Sequence, residues 1–215
     1  MTFNEKLEAL SGYDTSFVAD ALVRLGFGER MCELTIDNTL CAPLNREDRF
    51  AGVAVPVQFA KAEPGQQTWN LFDLISTQPK GTVFVMTGCQ GRCYTGDVYA
   101  KYAKLEEMGA FVIEGLIRDV KDIADCGLPV FCKGGTTAAK GGGGAKIVSY
   151  DKPINFHHTV INPGDILIGD ADGIIIIPPE QLDAVLYQIE DIQKLEEGYK
   201  KVFDEGVDVL PRLRE

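Results

Sequence analysis

No run of apolar residues in this chain reaches the roughly 20 that a bilayer-crossing helix needs. The amino terminus, Met1-Thr2-Phe3-Asn4-Glu5-Lys6, has no basic segment leading into an apolar one, so it lacks the form of an export signal. A cytoplasmic protein is the expectation. Basic residues are scarce: 21 Lys and Arg stand against 32 Asp and Glu, a net charge of −11. Every phosphate contact would work against that field, which argues against nucleic acid and anionic membrane as partners and leaves open a basic protein segment. Paired metal-ligand motifs are missing too. Cys89 and Cys93 lie close together, but no second cysteine pair and no Cys-His pair completes a tetrahedral zinc site. The six cysteines, Cys32, Cys41, Cys89, Cys93, Cys126 and Cys132, are scattered through a chain long enough to bury a core without staples, so reduced thiols are expected. The only histidines, His157 and His158, are adjacent. Strand neighbours face opposite ways and cannot both ligate one ion, which leaves them ordinary structural roles. The glycine run Gly141–Gly144 is not followed by the Gly-Lys-Ser/Thr of a phosphate loop and reads as a flexible lid or linker. No linker or composition shift divides the chain, so its 215 residues form one α/β domain, 1–215.

The positive pattern alternates between strand and helix. Residues 14–25 read as a short helix with Asp14 or Thr15 as N-cap and Gly26 just past its end. Gly52 to Phe59 alternates as a strand, with Pro56 placing it near an edge or a bulge. Trp69 to Ile75 has helical spacing. There follow a short apolar strand from Thr82 to Met86, a Gly/Cys loop over 88–96, a helix over 97–108, a strand from Ala110 to Ile113, a short helix over 120–125 and a strand from Pro129 to Cys132. This β-α-β-α-β order predicts parallel strands with right-handed crossovers. Asp165 to Pro178 reads as two strands joined by an Asp/Gly turn, and a long helix runs from near Pro179 to about Glu205.

The stretch richest in chemistry is Glu114-Gly115-Leu116-Ile117-Arg118-Asp119, where the apolar run Ala110–Ile113 breaks into a turn. Arg118 offers a planar fork that matches a carboxylate or enolate. Asp119 is a hard oxygen ligand suited to Mg²⁺ or Mn²⁺. The plainer alternative is a surface ion pair that caps the next helix. If the strands at 82–86 and 110–113 are parallel neighbours, the loops after both open on one carboxyl edge, where α/β folds place ligands. Gly96-Asp97-Val98 then starts the intervening helix beside Arg118, and free N–H groups at a helix start attract a carboxylate. Together they could grip a small 2-oxo acid, although Gly96-Asp97 also fits a routine N-cap. On the C-terminal helix, Val185, Ile189, Ile192, Leu195, Tyr199, Val202 and Phe203 cover one apolar arc. Glu196 falls inside that arc and Glu197 points away. A helix of roughly 40 Å exceeds what this domain needs to cover itself, so it is expected to reach a neighbouring subunit, where Glu196 either completes a site or pairs with a Lys or Arg.

These residues resemble a family: the class II, metal-dependent 4-hydroxy-4-methyl-2-oxoglutarate aldolases and their relatives, the regulator of ribonuclease activity A proteins. The resemblance runs over most of the chain, through Tyr13-Asp14-Thr15-Ser16-Phe17-Val18-Ala19-Asp20-Ala21-Leu22, Ala51–Val55, Gly96 with Arg118-Asp119, and Pro163-Gly164-Asp165 onward through Gly169-Asp170-Ala171-Asp172-Gly173 to Pro178. The spacing from Gly96 to Arg118-Asp119 is its specific part. The resemblance implies an α/β/α sandwich of the phosphohistidine-swivelling-domain, RraA-like type, assembled as a homotrimer or dimer of trimers with sites between subunits. It implies that Asp119 holds the divalent metal and Arg118 binds the 2-oxo acid and its enolate. It also implies that the amides around Gly96, Asp97, Val98 and Tyr99 hold the substrate carboxylate, and that Glu196 is the family's glutamate from the adjacent subunit. The cysteine-rich loop 87–95 and the glycine run 141–144 depart from the family pattern, which bears on the substrate.

The reading is a divalent-metal-dependent lyase that cleaves a 4-hydroxy-2-oxo acid to pyruvate, with oxaloacetate decarboxylation as a side activity needing the same enolate stabilisation. The alternative is a non-catalytic regulator that binds a ribonuclease or helicase through its acidic surface. Regulators of this family generally lack the C-terminal glutamate, and this chain has Glu196. A hydratase or isomerase on the same scaffold is a third possibility.

Overall fold

The computed structural model describes residues 1–88, 93–138 and 145–204, the last four of them by backbone alone. In chain order the helices are α1 (Phe3–Ser11), α2 (Thr15–Leu22), α3 (Met31–Leu34), α4 (Leu71–Ser76), α5 (Asp97–Leu105), α6 (Val120–Asp125) and α7 (Leu182–Asp204). The strands are β1 (Thr35–Asp37), β2 (Ala42–Pro43), β3 (Phe50–Lys61), β4 (Val83–Thr87), β5 (Ala110–Ile113), β6 (Leu116–Ile117), β7 (Val130–Cys132), β8 (Gly134–Gly135), β9 (Ala145–Tyr150), β10 (Ile154–Phe156), β11 (Thr159–Ile161), β12 (Ile166–Asp170) and β13 (Gly173–Ile177).

The main sheet runs β1-β13-β12-β3-β4-β5-β7-β2, with β9 branching onto β3. The pairs β3–β4, β4–β5 and β5–β7 are parallel, as the alternating strand-helix order predicts. The β12–β13 hairpin, turning at Asp170–Gly173, is antiparallel. Side-chain alternation splits the interior into two cores. Val83, Val85, Ala110 and Val112 face α2 and α7, whereas Phe84, Met86, Phe111 and Ile113 face α4, α5 and α6. With helices over both faces the central strands are buried throughout, which is why their sequences are continuous apolar runs. The architecture is an α/β/α sandwich.

Three local readings change once long-range contacts are visible. Pro56 lies on neither an edge strand nor the register shift of β3, which falls at Gln58/Phe59. On one flank β3 pairs with β12 up to Val53 and with β9 from Val57 onward, and Pro56 occupies the changeover. Ala54 turns its N–H and C=O toward that flank, to Asp165 O and from Gly164 N, so the N–H that Pro56 lacks would have pointed into the gap between two partners. The helix expected over 14–25 keeps α geometry only to Leu22; Val23–Phe27 loosens into a wider turn broken at Gly26, with φ +91°. His157 and His158 are not strand neighbours but the two-residue turn between β10 and β11.

At the amino ends of the parallel strands the backbones converge on Gly81. A β-carbon on Gly52 would lie 2.3 Å from the Gly81 carbonyl oxygen, and one on Gly109 2.5 Å from it, so neither position has room for a side chain. The contact is locked by Gly81 N–H to Glu107 O and Gly109 N–H to Thr82 O.

Helix α7 is committed along only part of its length. Val185, Leu186, Ile189 and Ile192 are buried against the α2 side of the sheet, but Leu195 is 46% exposed. Beyond Ile192 no described side chain of the helix is buried. At 1.5 Å per residue its 23 residues span roughly 35 Å.

Candidate active site

Because β4 and β5 are parallel and in register from Val83↔Ala110 to Met86↔Ile113, the loops that follow them emerge side by side. They are tied together directly: Tyr94 N–H donates to Leu116 O at 3.0 Å and Arg118 N–H to Thr95 O at 3.2 Å. The buried Tyr94 ring fills the space under the turn, so close that a β-carbon on Gly115 would lie 2.6 Å from it. The Cys93 thiol donates to Thr95 O at 2.9 Å, and burial pushes its pKa up. Among the described residues Cys93 is thus a neutral pin beneath the site; Cys89, and with it any pairing of the two, lies outside them, as do Lys140 and Gly141–Gly144.

Asp119 is the N-cap residue of α6 by position, yet it does not cap that helix. Its backbone is left-handed, φ +60° and ψ +38°, where an N-cap residue is normally extended, and its side chain makes no bond to α6. The carboxylate reaches across to the start of α5, with Oδ2 3.4 Å from Asp97 N–H and 3.2 Å from Arg118 Nε. So the ion pair foreseen as a helix cap exists, but it is directed at a different helix. Gly96 makes this approach possible. A β-carbon there would stand 2.6 Å from Asp119 Oδ2 and 3.3 Å from Arg118 Nε.

The structure therefore brings Gly96, Asp97, Arg118 and Asp119 to one edge. Arg118 is 47% exposed and Asp119 34%, so the pair is open to solvent and screened. The Asp97 carboxylate is engaged by Lys101 at 2.6 Å, and that hydrogen bond holds its pKa below the usual carboxylate range. Val98 is exposed at the rim, and Tyr99 stacks on Phe72 of α4 with ring centroids 4.4 Å apart. Glu196 is elsewhere in the chain. It is half-buried on α7, which packs on the opposite face of the sheet from α5 and α6, so a single chain does not bring it to Asp119.

Among the described residues no three His, Cys, Asp or Glu side chains cluster as a ready-made metal cage. The donor chemistry at Asp119 is nevertheless that of a water-rich hard cation: one carboxylate, with Oδ1 accepting no hydrogen bond among the described residues. Mg²⁺ and Mn²⁺ are held in this manner by one or two carboxylates with several retained waters. One residue of the 114–119 stretch received no role from the sequence. Glu114 is bonded to Thr87 and to His157, partners 27 and 43 positions away, which no local pattern announces.

A family model described as RraA-like, Aldolase/RraA, matches residues 15–176, a span that includes Arg118-Asp119 and stops short of Glu196. A protein of Halalkalibacterium halodurans named "Putative 4-hydroxy-4-methyl-2-oxoglutarate aldolase" is 33% identical over 167 residues, 77% of each chain. Among solved structures, an uncharacterized protein from Pseudomonas syringae pv. tomato superposes with TM-score 0.79 at 22% identity, covering 99% of this chain and 98% of that one. RraAS2 of Streptomyces coelicolor, described as an unusual member of the RNase ES inhibitor RraA protein family, superposes with TM-score 0.79 at 20% identity over 92% of this chain and 97% of that one.

Proposed function

Because this chain belongs to the RraA-like, Aldolase/RraA family, we propose that it is a divalent-metal-dependent lyase that cleaves a 4-hydroxy-2-oxo acid, such as 4-hydroxy-4-methyl-2-oxoglutarate, to pyruvate. One observation carries the reading: Arg118, Asp119 and the Asp97 N–H converge within 3.4 Å at an opening that Gly96 keeps clear. Asp119 is the residue to hold Mg²⁺ or Mn²⁺, which supplies Lewis acidity toward the 2-oxo group. The N–H groups of Asp97, Val98 and Tyr99 in the first turn of α5 are the donors for the substrate carboxylate, the Asp97 N–H turning to it from its long 3.4 Å contact with Asp119. As the C3–C4 bond breaks, its electron pair moves onto pyruvate as an enolate. The Arg118 fork stabilises that developing charge with donors already in place. The C4 hydroxyl loses its proton as it becomes a carbonyl, and Glu196 of a neighbouring copy, in a homotrimer or dimer of trimers, takes it up. Oxaloacetate decarboxylation needs the same enolate and no such base, so it accompanies the main reaction.

The test is pyruvate release over a panel of 4-hydroxy-2-oxo acids and oxaloacetate, with Mg²⁺ or Mn²⁺ and with EDTA. Turnover abolished by EDTA and restored by either metal is the expected outcome; full turnover in EDTA rules the reading out. Glu196→Ala and Asp119→Ala chains, each inactive alone, should regain turnover when mixed oligomers form. No recovery despite demonstrated subunit exchange removes Glu196 from the mechanism. The net charge of −11 favours a second reading, a non-catalytic regulator that binds a basic segment of a ribonuclease or helicase. A chain that turns over nothing on the panel yet inhibits such an enzyme in a salt-dependent way would decide for it.

A further inference from the structure

Glu114 sits on the turn that leads to Arg118, on the opposite side of the sheet from α5 and α6. Ile113 before it faces the α5 core, so Glu114 faces the other way, as Thr87 does after Met86 on the neighbouring strand. Both of its carboxylate oxygens are in use. Oε1 accepts the His157 N–H at 2.8 Å with the imidazole Nδ1 3.6 Å away, and Oε2 accepts the Thr87 hydroxyl. Glu114 and His157 side chains are only 19% and 18% exposed. His157 is held at φ +53°, a region that residues with a β-carbon avoid, and its Nε2 is buried without a partner among the described residues. The tip of the β10–β11 hairpin therefore accepts an unfavourable backbone and an unsatisfied nitrogen, and its gain is the bond to Glu114. The thiol near this carboxylate stays neutral, because burial drives Cys41 far above its ordinary range.

From the α5 side, the segment 114–119 is tied by Arg118 N–H to Thr95 O and Tyr94 N–H to Leu116 O. Glu114 supplies the tie from the other side. We propose that Glu114 is a positioning residue that braces this segment between Thr87 and the His157 turn, and so fixes the Arg118 fork and the Asp119 carboxylate without touching substrate. The proposal rests on Arg118-Asp119 being the reacting pair. A small misplacement of such a pair is costly to turnover.

The experiment combines amide hydrogen exchange on the full chain with kcat and KM for pyruvate release in saturating Mn²⁺. Glu114→Ala should speed exchange over 115–118 by roughly tenfold or more while the centres of β4 and β5 keep their protection. Its kcat should fall roughly 10- to 100-fold with KM changed much less. Glu114→Gln keeps an oxygen for the His157 N–H and should recover most of both losses. Thr87→Val removes a single tie with little volume change and should show a smaller exchange increase at the same amides, which keeps the question decidable if Glu114→Ala does not fold. Unchanged exchange at 115–118 in the folded variants, or an increase spread evenly through the sheet, overturns the proposal and leaves Glu114 a general stabiliser. A wild-type chain that releases no pyruvate overturns the lyase reading instead, with the exchange result still deciding whether the brace exists.

Discussion

Asp170 and Asp119 each reach the amino end of a helix from elsewhere in the chain and are held in contrasting ways. Asp170, at the end of β12, closes on the start of α2: it accepts the Thr15 N–H and hydroxyl at 2.8 Å each and the Asp172 N–H at 3.0 Å. Both its oxygens are engaged and its backbone is an ordinary strand end. Asp119, at the start of α5, makes two longer contacts through one oxygen, from a left-handed backbone that costs on the order of 1 kcal/mol or more. The first aspartate spends its bonding capacity inside the fold; the second keeps part of it for something outside. A carboxylate with uncommitted valence at a strained position, on the carboxyl edge of parallel strands, is what the proposed metal-holding role calls for.

The comparison can be broken most sharply at Asp119. Asp119→Asn should abolish metal-dependent turnover while changing unfolding free energy by less than about 0.5 kcal/mol, since little of the native network depends on it. A large loss of stability in a denaturant titration, or retained turnover, would make Asp119 another Asp170. Next comes Arg118→Lys, which keeps the charge and loses the fork. Its turnover should fall roughly 10²-fold, as for removal of one preorganised oxyanion donor, and near-normal kinetics would leave Arg118 a structural pair. The smallest effect on turnover belongs to Asp170→Ala. Exposing the α2 start should cost roughly 1–3 kcal/mol in a thermal or denaturant melt with turnover per folded chain within about twofold. A turnover loss comparable to that at Asp119 would erase the distinction between the two ends.

What the sequence disclosed followed the range over which its signals act. The strand Ala110–Ile113, the helix 120–125 and the hairpin turning at Asp170–Gly173 stand where periodicity and turn residues place them, because each is governed by neighbours in the chain. The shared edge for Gly96 and Arg118-Asp119 was also legible, since parallel pairing follows from element order. Other features were not. The α2 cap comes from Asp170, 155 positions away, while the local candidate Asp14 bonds Arg49 instead. Pro56 was ambiguous because its tolerance depends on two strands that pair with β3 from later in the chain. The histidine pair resembled strand residues until its turn geometry was visible, and Glu114 had no role assigned within its stretch until His157 was found against it. The cap, the proline and Glu114 were decided by contacts distant in the chain that composition and spacing do not encode, and the histidines by a hairpin turn without the usual Gly or Asn signal.

The convergence of three glycines at the amino edge has a consequence for how chains of this design can diversify. A β-carbon on Gly52 or Gly109 would be pushed against the Gly81 carbonyl, and Gly81 itself has open space but holds φ +79°, where a side chain is strained. That edge is closed to gradual change. The opposite edge ends in loops whose side chains reach solvent, and there a single replacement changes the exposed chemistry without moving the strands beneath. The constraint is lopsided: one rim of the sheet tolerates little change, and the other can vary its side chains while the strands beneath stay in place.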